Sequence, residues 1–162
     1  MKRYDNLCKI LAYYSWGGSM IKRILFLMIF VLVTSSTFVQ AEEEKVEVFH
    51  INKGKVVKEV PMNETMQQSV ETILNGVTDV FRGFEPIPQN GYMVKIPLDP
   101  AFNPKNDWIK EAVNEVIIIF PEYENPHILV FNSENNPGFY SFNASVDRLL
   151  KEIDLKFKGQ RE

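Results

Sequence analysis

Ten consecutive apolar residues, Ile24–Val33, stand directly behind Lys22-Arg23, and they decide how the rest of the chain can be read. Such a run suits a core helix, a membrane span or a targeting segment, and its flanks separate the three. A spanning helix needs roughly 20 mostly apolar residues. Here Thr34-Ser35-Ser36-Thr37 interrupts the run after ten. Phe38-Val39-Gln40-Ala41 follows, ending on a small residue, and then Glu42-Glu43-Glu44. A basic start, a short apolar centre and a small-residue exit are the anatomy of a secretory signal peptide. Residues 20–41 are therefore read as the signal, with cleavage between Ala41 and Glu42. The acids after the cut reinforce the orientation that the preceding lysine and arginine set. The alternative is a membrane tether, with residues 21–38 left uncleaved. No cysteine follows the apolar run, since the single cysteine, Cys8, lies upstream; a lipid anchor at the cut is thereby disfavoured.

Residues 1–19 show no pattern of their own and read as a non-native or extended N-terminal preface. Trp16-Gly17-Gly18 requires G-rich codons just before Met20. A ribosome-binding site translated as protein would look like this, with true initiation at Met20.

Removing the signal changes the electrostatics. Residues 1–41 hold five basic side chains against Asp5, whereas the other 121 residues carry 13 basic and 20 acidic ones. The resulting net of −7 disfavours nucleic-acid binding, which rests on clustered Lys and Arg. The mature chain contains no cysteine, so it would enter an oxidising exterior with no disulfide to form. Core packing alone must hold it together, and 121 residues are enough for one ordinary core. Residues 42–162 are read as a single domain.

Within that domain the pattern is of short, punctuated elements. Lys45–Ile51 and the valine-rich Lys55–Val60 flank Asn52-Lys53-Gly54, a β-hairpin signature. Met66, Val70, Ile73, Leu74 and Val77 recur at helical spacing. Asn63 is placed to cap that helix, which is expected over about 63–75 or on to 81, with Asn75-Gly76 as a left-handed stop. Pro86 and Pro88 make 82–89 a loop or an edge strand. Tyr92–Leu98 reads as a strand broken by Asp99-Pro100. Residues 106–120 read as a short helix running into a strand, or as one strand starting near Ala112, because Val116–Phe120 is β-branched and apolar. His127–Asn132 and Phe139–Phe142 form a further hairpin. A closing helix carries Val146, Leu149, Leu150 and Ile153, capped by Asn143 or Ser145. The expectation is an α+β fold: an antiparallel sheet of about five or six strands, with two or three helices packed on one face, preceded by the signal peptide.

Chemical motifs are sparse. The two histidines, His50 and His127, are far apart in sequence and lack the clustering that zinc needs. Asn103, Asn106 and Asp107 lack the spacing of a calcium loop. There is no nucleophile elbow, no Ser-x-x-Lys and no phosphate loop. Glu85, Asp99 and Asp107 are the loop carboxylates from which a small hydrolase would have to draw, in a chain where acids are common. The sequons at Asn63 and Asn143 coincide with helix starts, where asparagine serves as a cap. No catalytic residue, metal or cofactor is assigned.

What stands out is an aromatic and asparagine-rich loop surface: Trp108, Asn135, Asn136, Phe139 and Tyr140, with Phe102 and Tyr123 near other loops. Aromatics beside polar loop residues are the usual makings of recognition, or else they close a small core. The leading expectation is an exported bacterial, non-enzymatic binding domain at the cell envelope or outside the cell. Its partner would be a protein, peptide or cell-wall component, with no nucleic acid and only transient membrane contact through the signal.

Protein recovered from the culture medium is expected to begin at Glu42, and its precursor at Met20. N-terminal sequencing with intact mass checks both. Retention of Ile24–Val33 in the extracellular product would reject the cleavage.

Overall fold

The computed structural model describes Arg23 and residues 44–156. Apart from Arg23, these belong to one compact unit, Glu42–Glu162. The signal segment, apart from Arg23, and the Ala41/Glu42 cut lie outside the described residues.

Seven strands form one antiparallel sheet: β1 (Lys45–His50), β2 (Lys55–Pro61), β3 (Val77–Val80), β4 (Gly91–Phe102), β5 (Val113–Pro121), β6 (His127–Phe131) and β7 (Pro137–Phe142). Their spatial order is β2-β1-β4-β5-β6-β7-β3. Two α-helices are described, α1 (Glu64–Asn75) and α2 (Asp147–Glu152). The α+β class therefore holds, with seven strands where five or six were expected.

The core follows from side-chain alternation. Val48, Val94, Ile118, Ile128 and Tyr140 are successive register partners across β1, β4, β5, β6 and β7. Directly paired residues share a face, so this row marks one side of the sheet. Val46, Ile96, Leu98, Val116, Phe120 and Val130 extend the same side, because side chains two apart point the same way. Both helices bury their apolar stripes in this layer: Met66, Val70, Ile73 and Leu74 from α1, and Leu149 from α2, with Val146 and Ile153 at its two ends.

The local signals explain most of the boundaries. Asn63 caps α1, its side-chain oxygen accepting from the Met66 amide at 2.9 Å. Gly54 sits at φ +60° after a short 3₁₀ turn, Ile51–Lys53, and lets β1 turn into β2. At the start of α2, Ser145 Oγ accepts the Asp147 amide at 3.2 Å, whereas Asn143 is not a cap.

Four expectations need correction. The chain after Asn75 is strand, not helix: Val77 and Val80 pair with Phe142 and Tyr140. Helical spacing at Val77, Val80 and Phe81 was coincidental, because edge pairing with β7 satisfies the backbone that a longer helix would have used internally. Gly76 is not left-handed, with φ −81°. It is favoured instead by close approach, since a Cβ there would stand 3.1 Å from both Ala144 Cβ and Asn143 Oδ1. Residues 106–112 contain no helical turn; the strand begins at Val113, the second of the two readings. Asp99-Pro100, a cis peptide bond, also does not end β4, which resumes pairing at Phe102 with Val113.

Strand order imposes one further feature. β3 lies at the far edge beside β7, yet the next strand, β4, lies between β1 and β5. The chain from Phe81 to Asn90 must therefore cross β7, β6 and β5. It crosses on the side away from the helices. The Phe81 ring stacks on His127 at a centroid distance of 3.9 Å and an interplanar angle of 13°. His127 Nε2 lies 2.7 Å from the Pro86 carbonyl. A carbonyl only accepts, so Nε2 carries the proton. This strap buries His127, Ile119 and Leu129 on the second face, which is why β5 and β6 read as unbroken apolar runs.

The β2 edge is blunted. β2 carries Lys55, Lys58, a terminal Pro61 and a bulge where Val57 has no partner on β1. Such devices discourage further strand addition.

Ile118→Ala, at the centre of the row, is expected to cost about 2–5 kcal/mol. Asn63→Ala is expected to cost about 1 kcal/mol through loss of the cap. Urea unfolding followed by circular dichroism measures both, and the two values should differ clearly.

Candidate functional site

A groove of about 270 Å³ opens at one end of the sheet, between the 103–112 segment and the β6–β7 hairpin. Each wall has a definite origin. The first is tied to the end of α1: Asn75 Oδ1 accepts the Lys105 amide at 2.8 Å, and Asn106 Nδ2 donates to the Leu74 carbonyl at 2.8 Å. Asn106 Oδ1 then accepts the amides of Trp108 and Ile109, each at 2.8 Å. This double capping bends the chain so that Ile109 is buried while Trp108 remains 40% exposed on the groove.

The second wall is organised by Asn132. Its Oδ1 accepts the Glu134 and Asn136 amides at 3.1 and 2.8 Å, and its own amide donates to the Asn136 carbonyl at 3.1 Å. Asn135 takes φ +62° at the tip, a conformation asparagine tolerates better than most residues. Glu111 joins the two walls, its Oε2 accepting the Ser133 amide at 2.7 Å.

The floor and sides combine Val130, Phe131 and Tyr140 with the backbone of Pro137 and Gly138. Gly138 leaves the room that Tyr140 occupies: a Cβ there would stand 2.6 Å from the Tyr140 hydroxyl.

Of the five residues singled out in the sequence, the structure gathers Trp108, Asn136 and Tyr140 around this groove. Asn135 sits on the adjoining tip and does not line it. Phe139 pairs with Leu129 and so faces the opposite side of the sheet. Sequence reading missed Phe131, Asn132, Lys110 and Glu111. Phe131 carried a signal, since it extends the apolar run of β6 into a loop and remains 39% exposed. Glu111 carried none, because its partner lies 22 positions away. Phe102 packs against the core instead of forming a surface.

The histidines stand elsewhere. His127 is enclosed beneath the strap, and His50 packs on Tyr92 at a centroid distance of 4.8 Å. The Nδ1 atoms of both are buried without a hydrogen-bond partner among the described residues. Neither histidine lines the groove. Among the described residues no three His, Cys, Asp or Glu side chains converge as a metal site. No described helix is long and apolar enough to cross a membrane. Tyr123, beyond the far end of β5, donates to Glu122 at 3.0 Å. That hydrogen bond and the charge of Glu122 raise its hydroxyl above the usual phenol range.

Glu111→Ala removes the one side-chain hydrogen bond between the two walls among the described residues. Faster hydrogen exchange at the Ser133 amide is expected, with a stability loss of about 1 kcal/mol or less, since the bond is exposed. Exchange measured by NMR checks this, and unchanged protection at Ser133 would show that the walls do not depend on Glu111.

Comparison with family models, with curated proteins and with solved structures returns no match for this chain.

Proposed function

We propose that this protein is an exported, non-enzymatic binding domain whose recognition site is the Trp108–Tyr140 groove. The export half of the reading comes from the Lys22-Arg23 start, the Ile24–Val33 run and the Val39-Gln40-Ala41 exit. The binding half rests on one observation. Two aromatic side chains, Trp108 and Tyr140, from segments about 30 residues apart, border the same concave surface beside exposed amide groups. Concave surfaces of this mixed kind, with a few placed polar groups, are the usual form of small binding sites. Its volume suits a small ligand or one protruding segment of a larger one.

Hydrolysis gains no comparable support. Glu85 and Asp99 do not line the groove, and Asp107 is paired with Lys110 at 3.3 Å. Glu111, the one carboxylate that lines it, already accepts a backbone amide.

The test is sedimentation of the full chain with isolated cell envelope. Wild-type protein is expected in the pellet, and the Trp108→Ala/Tyr140→Ala double variant roughly tenfold less so, a loss of about 1.4 kcal/mol. Equal sedimentation of folded wild-type and variant protein would overturn the groove as the site.

A further inference from the structure

The inventory of groups around the groove narrows what it can hold. Every ionic side chain at the rim is already engaged within the protein. Lys110 Nζ donates to the Asn106 carbonyl at 3.1 Å and to Asp107 at 3.3 Å. Glu111 accepts the Ser133 amide, and Glu134 accepts Asn136 Nδ2 at 3.2 Å. Lys110 keeps one exposed N–H, but it stands with the Asp107, Glu111 and Glu134 carboxylates, so an anionic ligand would meet three negative charges for one positive. The other open groups are neutral. Asn132 uses its Oδ1 on two amides, so its Nδ2 is a free donor. Asn136 commits Nδ2 to Glu134, so its Oδ1 is a free acceptor. Trp108 Nε1 and the Tyr140 hydroxyl have no partner among the described residues and add a donor and a donor–acceptor.

The backbone offers little by contrast. β6 pairs with β5 over His127–Leu129 and with β7 along its whole length, and β7 pairs with β3 over Tyr140–Phe142. Only Val130–Phe131 on the β5 side and Pro137–Gly138 on the β3 side lack a backbone partner among the described residues, two residues each, which gives an extended peptide few main-chain hydrogen bonds for strand addition. A proline-rich segment presents chiefly carbonyl acceptors, and these leave Asn136 Oδ1 without a donor.

We infer that the groove takes an uncharged saccharide; this deepens the binding-domain reading above and rests on it. A pyranose has an apolar C–H face and a rim of hydroxyls that both donate and accept. The positively polarised C–H bonds suit the negative face of the Trp108 or Tyr140 ring. The hydroxyls suit the neutral set of Asn132, Asn136, Trp108 Nε1 and the Tyr140 hydroxyl.

The experiment uses the full chain carrying Trp16→Phe, so that fluorescence reports Trp108 alone. It is titrated with chitotetraose, with cellotetraose and with a proline-rich decapeptide. A saturable change in Trp108 emission is expected with at least one tetrasaccharide, insensitive to salt. Tyr140→Ala and Asn136→Ala should each weaken it by roughly tenfold. Tyr140→Phe, which keeps the ring and loses the hydroxyl, should fall between wild type and Tyr140→Ala. Circular dichroism confirms that each variant is folded. Saturation by the peptide alone would overturn the saccharide and leave the groove a binding site. Silence from all three probes, or strongly salt-dependent saccharide binding, would also overturn the saccharide. The envelope sedimentation assay then decides separately whether the groove binds at all.

Discussion

Burial of one face of a seven-stranded sheet against two helices organises the described part of this protein. The row Val48–Val94–Ile118–Ile128–Tyr140 runs straight across five strands, and its first four members are buried. A one-residue slip of any strand would turn its apolar set to the wrong side, so this row fixes register as well as stability. Tyr140 belongs to the row yet is only partly buried, packed against the core cluster. With Val130 and Gly138 it brings that face of the sheet to the groove.

The strap is the second consequence of topology. Placing β3 at the far edge obliges Phe81–Asn90 to travel back over the sheet, and the crossing seals a second, smaller apolar layer. His127 serves that layer as a polar fastener: one nitrogen holds the Pro86 carbonyl and the ring face meets Phe81. Strand order thus makes a lone strand histidine a structural tie.

The groove walls depend on asparagine more than on any charged residue. Asn106 and Asn132 each satisfy two backbone amides, turning two short segments without regular structure. Such bonds offer the backbone an alternative to helix or ladder. This is why an asparagine-rich text yields shaped loops here. It also places the neutral amides of Asn132 and Asn136 on the groove.

Composition and spacing alone determined the α+β class, the first hairpin, the Asn63 cap and the presence of two amphipathic helices. These rest on periodicity and capping chemistry, which are local and survive without knowledge of the fold. The same local reading marked Trp108, Asn136 and Tyr140 but could not separate them from Asn135 and Phe139, since face assignment needs the register. Only the tertiary structure decided that Val77–Val80 is a strand, that Gly76 answers to Ala144 and Asn143, and that Glu111 meets Ser133. Each of those is a contact between distant positions, and its free energy exists only once the chain has closed the intervening loop.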